Sequence, residues 1–138
     1  MNKFPLSLRR RLALEAWRLN EKQRIKEHPL RQLFWECTLR CNLNCRHCGS
    51  DCKTESSQPD MPKEDFLRVL DNVAANTNPN KVFVVITGGE PLMRADLEEC
   101  GREIYKKGFP WGIVTNGLAM TQKRLKSLMA AGMHTATV

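Results

Sequence analysis

The sequence has little that would anchor it in a membrane. Its apolar runs are short, with Val82 to Ile86 as the clearest, far below the roughly 20 residues that a spanning helix needs. The basic start (Lys3, Arg9, Arg10, Arg11) imitates the opening of a secretory signal. Glu15 and Arg18 interrupt the stretch that should then be apolar, and no small-residue cleavage site follows. No internal repeat or low-complexity segment is visible. These absences predict a cytoplasmic protein with no membrane partner.

What is present fits one soluble globular domain: 138 residues, 41% hydrophobic and 27% charged. The net charge of +7 is uneven. Residues 1–40 hold ten Lys/Arg against four Asp/Glu, while residues 41–138 hold twelve against eleven. The basic character thus belongs to an N-terminal segment. A nucleic-acid surface would interleave aromatics with such charges, and here they are not interleaved. A solvated helix face is the simpler reading.

Cysteine is abundant and clustered. Five of the six (Cys37, Cys41, Cys45, Cys48, Cys52) fall within sixteen residues, and only Cys100 stands apart. A disulfide scaffold spreads its bridges to staple distant segments, so a cluster this tight points to a metal site. Cys37, in a strand, and Cys100, at i+3 from Leu97 on a helix face, read as buried small hydrophobes. Cys52 has three readings (near the metal, on an auxiliary site, or without a role), of which the last is preferred.

Along the chain, residues 7–27 predict a helix with the apolar stripe Leu8, Leu12, Ala16, Leu19. A boundary near Pro29 divides a basic helix (1–29) from a sheet domain (30–138). Residues 32–37 predict a strand, and residues 38–60, aperiodic and polar, a long loop that carries the cysteines. A proline-led start at Asp60–Glu64 and the i, i+3, i+4, i+7 set Phe66, Val69, Leu70, Val73 predict a helix. The β-branched run Lys81–Thr87 predicts a strand buried on both faces. A helix over 95–107 closed by Gly108, a strand over 112–115, a helix over 121–131 closed by Gly132 and a strand from His134 complete the alternation. The class is α/β with parallel strands. A sheet of four strands that stops in mid-strand predicts the N-terminal piece of a longer, here truncated, protein.

The chemistry is carried by Cys41-Asn42-Leu43-Asn44-Cys45-Arg46-His47-Cys48, a C-x3-C-x2-C run. Thiolates hold iron–sulfur clusters, and three ligands on a four-iron cube leave one iron open for chemistry. This run, with Thr87-Gly88-Gly89-Glu90-Pro91 after the strongest strand and Thr115-Asn116-Gly117 after the next, resembles the radical S-adenosylmethionine (radical SAM) superfamily. The resemblance covers residues 32–138. It implies the N-terminal portion of a partial (β/α)6 TIM-like barrel, preceded by an N-terminal helix.

The resemblance further implies a [4Fe–4S] cluster on Cys41, Cys45 and Cys48. S-adenosylmethionine would be cleaved reductively to a 5′-deoxyadenosyl radical that abstracts hydrogen from a substrate, a peptide or protein among the options. Gly88, Gly89 and Glu90 would contact the methionine ammonium, and His47 would lie near the adenine or be an ordinary loop histidine. Thr115 and Asn116 would form either a cofactor contact or a plain turn. A one-electron donor such as flavodoxin or ferredoxin is the implied partner. The surroundings of Trp35 to Cys52 also resemble the branch with a C-terminal SPASM-type auxiliary-cluster extension. The alternative reading is a non-catalytic zinc-binding or nucleic-acid-binding module.

Overall fold

A computed structural model describes residues 6–50 and 52–138. Its elements run α1 (Leu8–Glu27), β1 (Gln32–Glu36), α2 (Lys63–Asn76), β2 (Phe83–Thr87), α3 (Leu97–Lys106), β3 (Trp111–Val114), α4 (Gln122–Ala130) and β4 (Met133–Thr137). The four strands form one parallel sheet in the order β1-β2-β3-β4. Each crossover after β1 contains a helix, as parallel neighbours require. The predicted alternation is therefore present. Among the described residues, no helix is long and apolar enough to cross a membrane.

Helices α2, α3 and α4 cover one face of the sheet, and the core lies between them and the strands. Phe66 and Leu70 of α2, Leu97 and Ile104 of α3 and Leu128 of α4 meet Trp35, Val84, Ile86, Trp111 and Ile113. The Trp35 and Phe66 rings stack 4.1 Å apart and nearly parallel. Cys37 and Cys100 are buried here, as read from the sequence.

One expectation needs correction. β2 is not buried on both faces: Val84 and Ile86 are fully buried, whereas Phe83, Val85 and Thr87 are half-buried. The helices cover only one face, and on the other Phe34 and Val114 are exposed. A continuous apolar run in a strand reports what each face can bury, and here only one face is fully covered. Helix α1 stands where the sequence places it, and its face is solvated as expected: among the described residues Leu8, Leu12 and Leu19 are exposed and the helix buries no residue. Its order comes from local devices instead. Ser7 caps the first turn by accepting from the Arg10 amide, and i,i+3 pairs Arg18–Glu15 and Arg24–Glu21 follow.

Candidate functional site

The site lies at the C-terminal ends of β1, β2 and β3, where successive loops of a parallel sheet meet. Beyond β1 the chain continues the ladder. The Cys37 amide donates to Thr87 O at 2.9 Å, Gly89 N to Thr38 O at 2.8 Å, and Glu90 N to Arg40 O at 2.8 Å. The glycines make this approach possible. Gly88 has φ +135°, and a Cβ there would collide with the Thr38 carbonyl; a Cβ on Gly89 would collide with the Arg40 carbonyl. The Gly88–Gly89 pair therefore lies flat beneath the start of the cysteine loop.

Cys41 is fixed by the same framework. Its amide donates to Lys53 O at 2.7 Å, and Arg40 and Lys53 form a parallel bridge. Arg40 also reaches Asp60 at 2.6 Å, so the beginning and end of the loop are joined. Burial alone would raise the Asp60 carboxyl, but hydrogen bonds from Thr38 and Arg40 hold it below its usual value. Cys41 is half-buried, whereas Cys45 and Cys48 are exposed and share one turn, closed by Cys48 N donating to Cys45 O at 3.1 Å. His47 is exposed within that turn. Cys52 is buried, with its Cβ below Gly89 and its Sγ toward Ser50 O at 3.6 Å.

Glu90 is fully buried, and its carboxylate is committed within its own chain. Oε1 accepts from Leu92 N at 3.0 Å and from Thr115 Oγ1 at 2.7 Å, and Oε2 accepts from Asn116 N at 2.7 Å. Asn116 in turn donates from Nδ2 to Asn42 Oδ1 at 2.8 Å and toward Cys41 Sγ at 3.9 Å. One continuous chain of hydrogen bonds thus links the three loops, from Glu90 through Asn116 to Cys41. The structure brings Gly88, Gly89, Glu90, Thr115, Asn116 and Cys41 together. Cys45, His47 and Cys48 stand on the exposed turn that follows.

Two members were missed in the sequence. Asn42 lies inside the motif but was read only as spacer. Arg94, four residues after Glu90, is 3% exposed. Its Nη1 donates to Cys37 O at 2.8 Å and Met61 O at 2.9 Å, and its Nε and Nη2 donate to Asp96 at 2.7 and 3.1 Å. The guanidinium also lies 4.9 Å from the Trp35 ring centre. Burial opposes its charge, yet Asp96 compensates and raises its pKa. Arg94 thereby clips the two ends of the cysteine loop. Asp96 is close in sequence, but the Cys37 and Met61 carbonyls lie 57 and 33 residues away, so no local pattern announces the clip.

A family model described as Radical SAM superfamily matches residues 35–138. The chain belongs to the radical SAM superfamily. It is 32% identical over 108 residues to AdoMet-dependent heme synthase of Methanosarcina barkeri, covering 78% of this chain and 30% of that protein. It is 35% identical over 105 residues to the tungsten-containing aldehyde ferredoxin oxidoreductase cofactor-modifying protein of Pyrococcus furiosus, covering 75% and 29%. The chain thus spans about three-tenths of the length of these relatives. Its fold is shared with Streptococcus suis SuiB, solved bound to S-adenosylmethionine (TM-score 0.59, 20% identity, 93% of this chain and 29% of SuiB) and also with its precursor peptide SuiA.

Radical SAM proteins use a [4Fe–4S] cluster and S-adenosylmethionine, and the donor set here fits such a cluster. Three thiols stand on one loop, and thiolate is the ligand type that iron–sulfur clusters take. Among the described residues, no three His, Cys, Asp or Glu side chains are gathered closely enough to hold a single metal ion. The framework fixes Cys41, and the Cys45–Cys48 turn stands exposed beyond it.

Proposed function

We propose that this chain is the cluster- and cofactor-binding part of an enzyme that abstracts hydrogen from its substrate. Cys41, Cys45 and Cys48 are its cluster ligands. When bound, the cluster supplies the electron that cleaves S-adenosylmethionine to a 5′-deoxyadenosyl radical. The carrying observation is the Glu90–Asn116–Cys41 chain, which joins the cysteine loop to the two following strand ends.

The residues divide the work. Arg40, Lys53 and Arg94 hold the loop that presents the thiolates. The Gly88–Gly89 backbone serves the methionine ammonium, because the Glu90 carboxylate is already occupied by three donors. Thr115 and His47 border the remainder of the cofactor, His47 from the exposed turn beside Cys48. Residues 30–138 form this unit, and the basic segment 1–29, which contains α1, is separate from it. Thiolate ligation suits a reducing compartment, and hence the cytoplasm. A one-electron protein such as flavodoxin or ferredoxin is the electron source.

For the substrate we favour a peptide or protein, supported by the fold shared with the peptide-bound SuiB. A tetrapyrrole, suggested by the heme-synthase name of a sequence relative, is the competing outcome. Anaerobic isolation of these 138 residues should yield a brown, iron- and sulfide-containing protein that forms only a little 5′-deoxyadenosine on reduction, because the chain spans about three-tenths of its relatives' length. Replacing Cys41, Cys45 or Cys48 with Ala should abolish that product. A colourless protein with stoichiometric zinc would overturn the proposal.

A further inference from the structure

The Asn116 side chain is held in one orientation. Its Oδ1 accepts the Leu118 amide at 2.9 Å, closing a turn on its own loop, while its backbone N–H is received by Glu90 Oε2. An amide whose oxygen is fixed this way turns both N–H bonds to the opposite side, which settles the assignment of oxygen and nitrogen. On that side lie two acceptors, Asn42 Oδ1 at 2.8 Å and Cys41 Sγ at 3.9 Å. The longer distance suits sulfur, whose radius exceeds that of oxygen. Each N–H therefore has one partner, and the sulfur among them belongs to the first cysteine of the motif.

We infer that Asn116 is a positioning and tuning residue for the cluster: it donates a hydrogen bond to the Cys41 thiolate and raises the cluster's reduction potential. Contact with S-adenosylmethionine is not its role. The inference rests on the cluster assignment proposed above. Its physical basis is charge. One-electron reduction adds a negative charge to the cluster and its thiolates, and a donor aimed at a thiolate sulfur stabilises that charge more in the reduced than in the oxidised state. Glu90 acts one step further out. By accepting from Thr115 Oγ1 and Asn116 N, it fixes the loop from which the donor projects.

The test uses the full-length chain reconstituted with iron and sulfide, compared with Asn116→Ala and Asn116→Asp. Redox titrations followed by electron paramagnetic resonance are made without S-adenosylmethionine, and cofactor affinity is measured separately. Asn116→Ala should retain its iron yet show a more negative midpoint, with the reduced-to-oxidised ratio at a fixed potential falling roughly tenfold, ~59 mV for a one-electron couple. The exchangeable-proton coupling to the reduced cluster should weaken in the same variant, which a merely structural role would not produce. Asn116→Asp keeps an oxygen for Leu118, loses the donor and adds a negative charge, so its midpoint should fall further. It carries the comparison should Asn116→Ala fail to hold the cluster. An unchanged midpoint in both, or in Asn116→Ala with weakened cofactor affinity, overturns the inference and makes Asn116 a cofactor contact. Wild-type protein that takes up no iron overturns the cluster assignment and this inference with it.

Discussion

The loop between β1 and α2 contains two unlike stretches. Residues 38–41 and 52–61 are tied into the fold: the Thr38 and Arg40 carbonyls receive the Gly89 and Glu90 amides, Cys41 pairs with Lys53, Arg40 meets Asp60, and Arg94 grips the carbonyls of Cys37 and Met61. Residues 43–50 are exposed, with one backbone turn at Cys45–Cys48. The difference separates two tasks. On the ligand assignment proposed above, the tied stretch holds one of the three thiols, Cys41. The exposed stretch holds the other two proposed ligands, Cys45 and Cys48.

Breaking the tied stretch should have the largest effect. Arg94→Met keeps much of the packing against Trp35 but removes every donor. The Cys37 and Met61 carbonyls lose a charged donor, and Asp96 loses its partner. Breaking such a buried charged network costs about 3 kcal/mol, with the half-exposed Asp96 limiting the loss. A denaturant midpoint within error of wild type would show that the clip does not hold the loop. Arg94→Lys should recover only part of the loss, because one ammonium cannot span partners on opposite sides of a planar fork.

Glu90→Gln is a gentler break. The side chain keeps its shape, but an amide has one oxygen where the carboxylate offers two. One of the three donors from Leu92, Thr115 and Asn116 is then left facing an N–H group. The expected cost is about 1–2 kcal/mol, again read from the denaturant midpoint. The same change loosens the third strand's loop from the second's, so cluster occupancy should fall without vanishing. Full stability together with wild-type occupancy would remove Glu90 from the framework.

Much of the fold was legible because its signals are local. The i, i+4 set from Phe66 to Val73 gave α2, the β-branched run gave β2, and glycines at 108 and 132, both with positive φ, marked the ends of α3 and α4. The cysteine spacing, with Gly88–Gly89 and Asn116 at the following strand ends, marked three loops that the fold brings together. What escaped notice depends on distance in three dimensions. Nothing in the residues around Glu90 tells whether its carboxylate faces a ligand or its own chain; the answer lies with Thr115 and Asn116, a whole helix later. Arg94 is similar, since the carbonyls it grips lie just after β1 and just before α2. The burial of β2 was misjudged because a run of valines records apolarity, not which face the helices cover.

The thiols offer the smallest and cleanest comparison, since four of them sample both environments without any substitution. In the cluster-free protein, iodoacetamide near neutral pH should alkylate the exposed Cys45 and Cys48 and spare Cys37 and Cys100. Burial pushes the Cys37 thiol from 9.0 up to about 12, the nearby Arg94 charge opposing it, and pushes Cys100 up to about 11. Both are neutral in the folded chain well past the pH at which the unfolded chain ionises. Below pH 9.0 neither state has lost these protons, so the two thiols add no pH dependence to stability. Above it the unfolded state releases protons that the folded state retains, and unfolding becomes progressively easier until the folded thiols themselves ionise near 11 and 12. Cys100→Ala should flatten the lower part of that alkaline decline while leaving the reactivity of Cys45 and Cys48 unchanged. An equally steep decline in the variant would mean that the buried thiol is not its source. Rapid alkylation of Cys37 in the folded protein would show that the tied stretch opens as readily as the turn it supports.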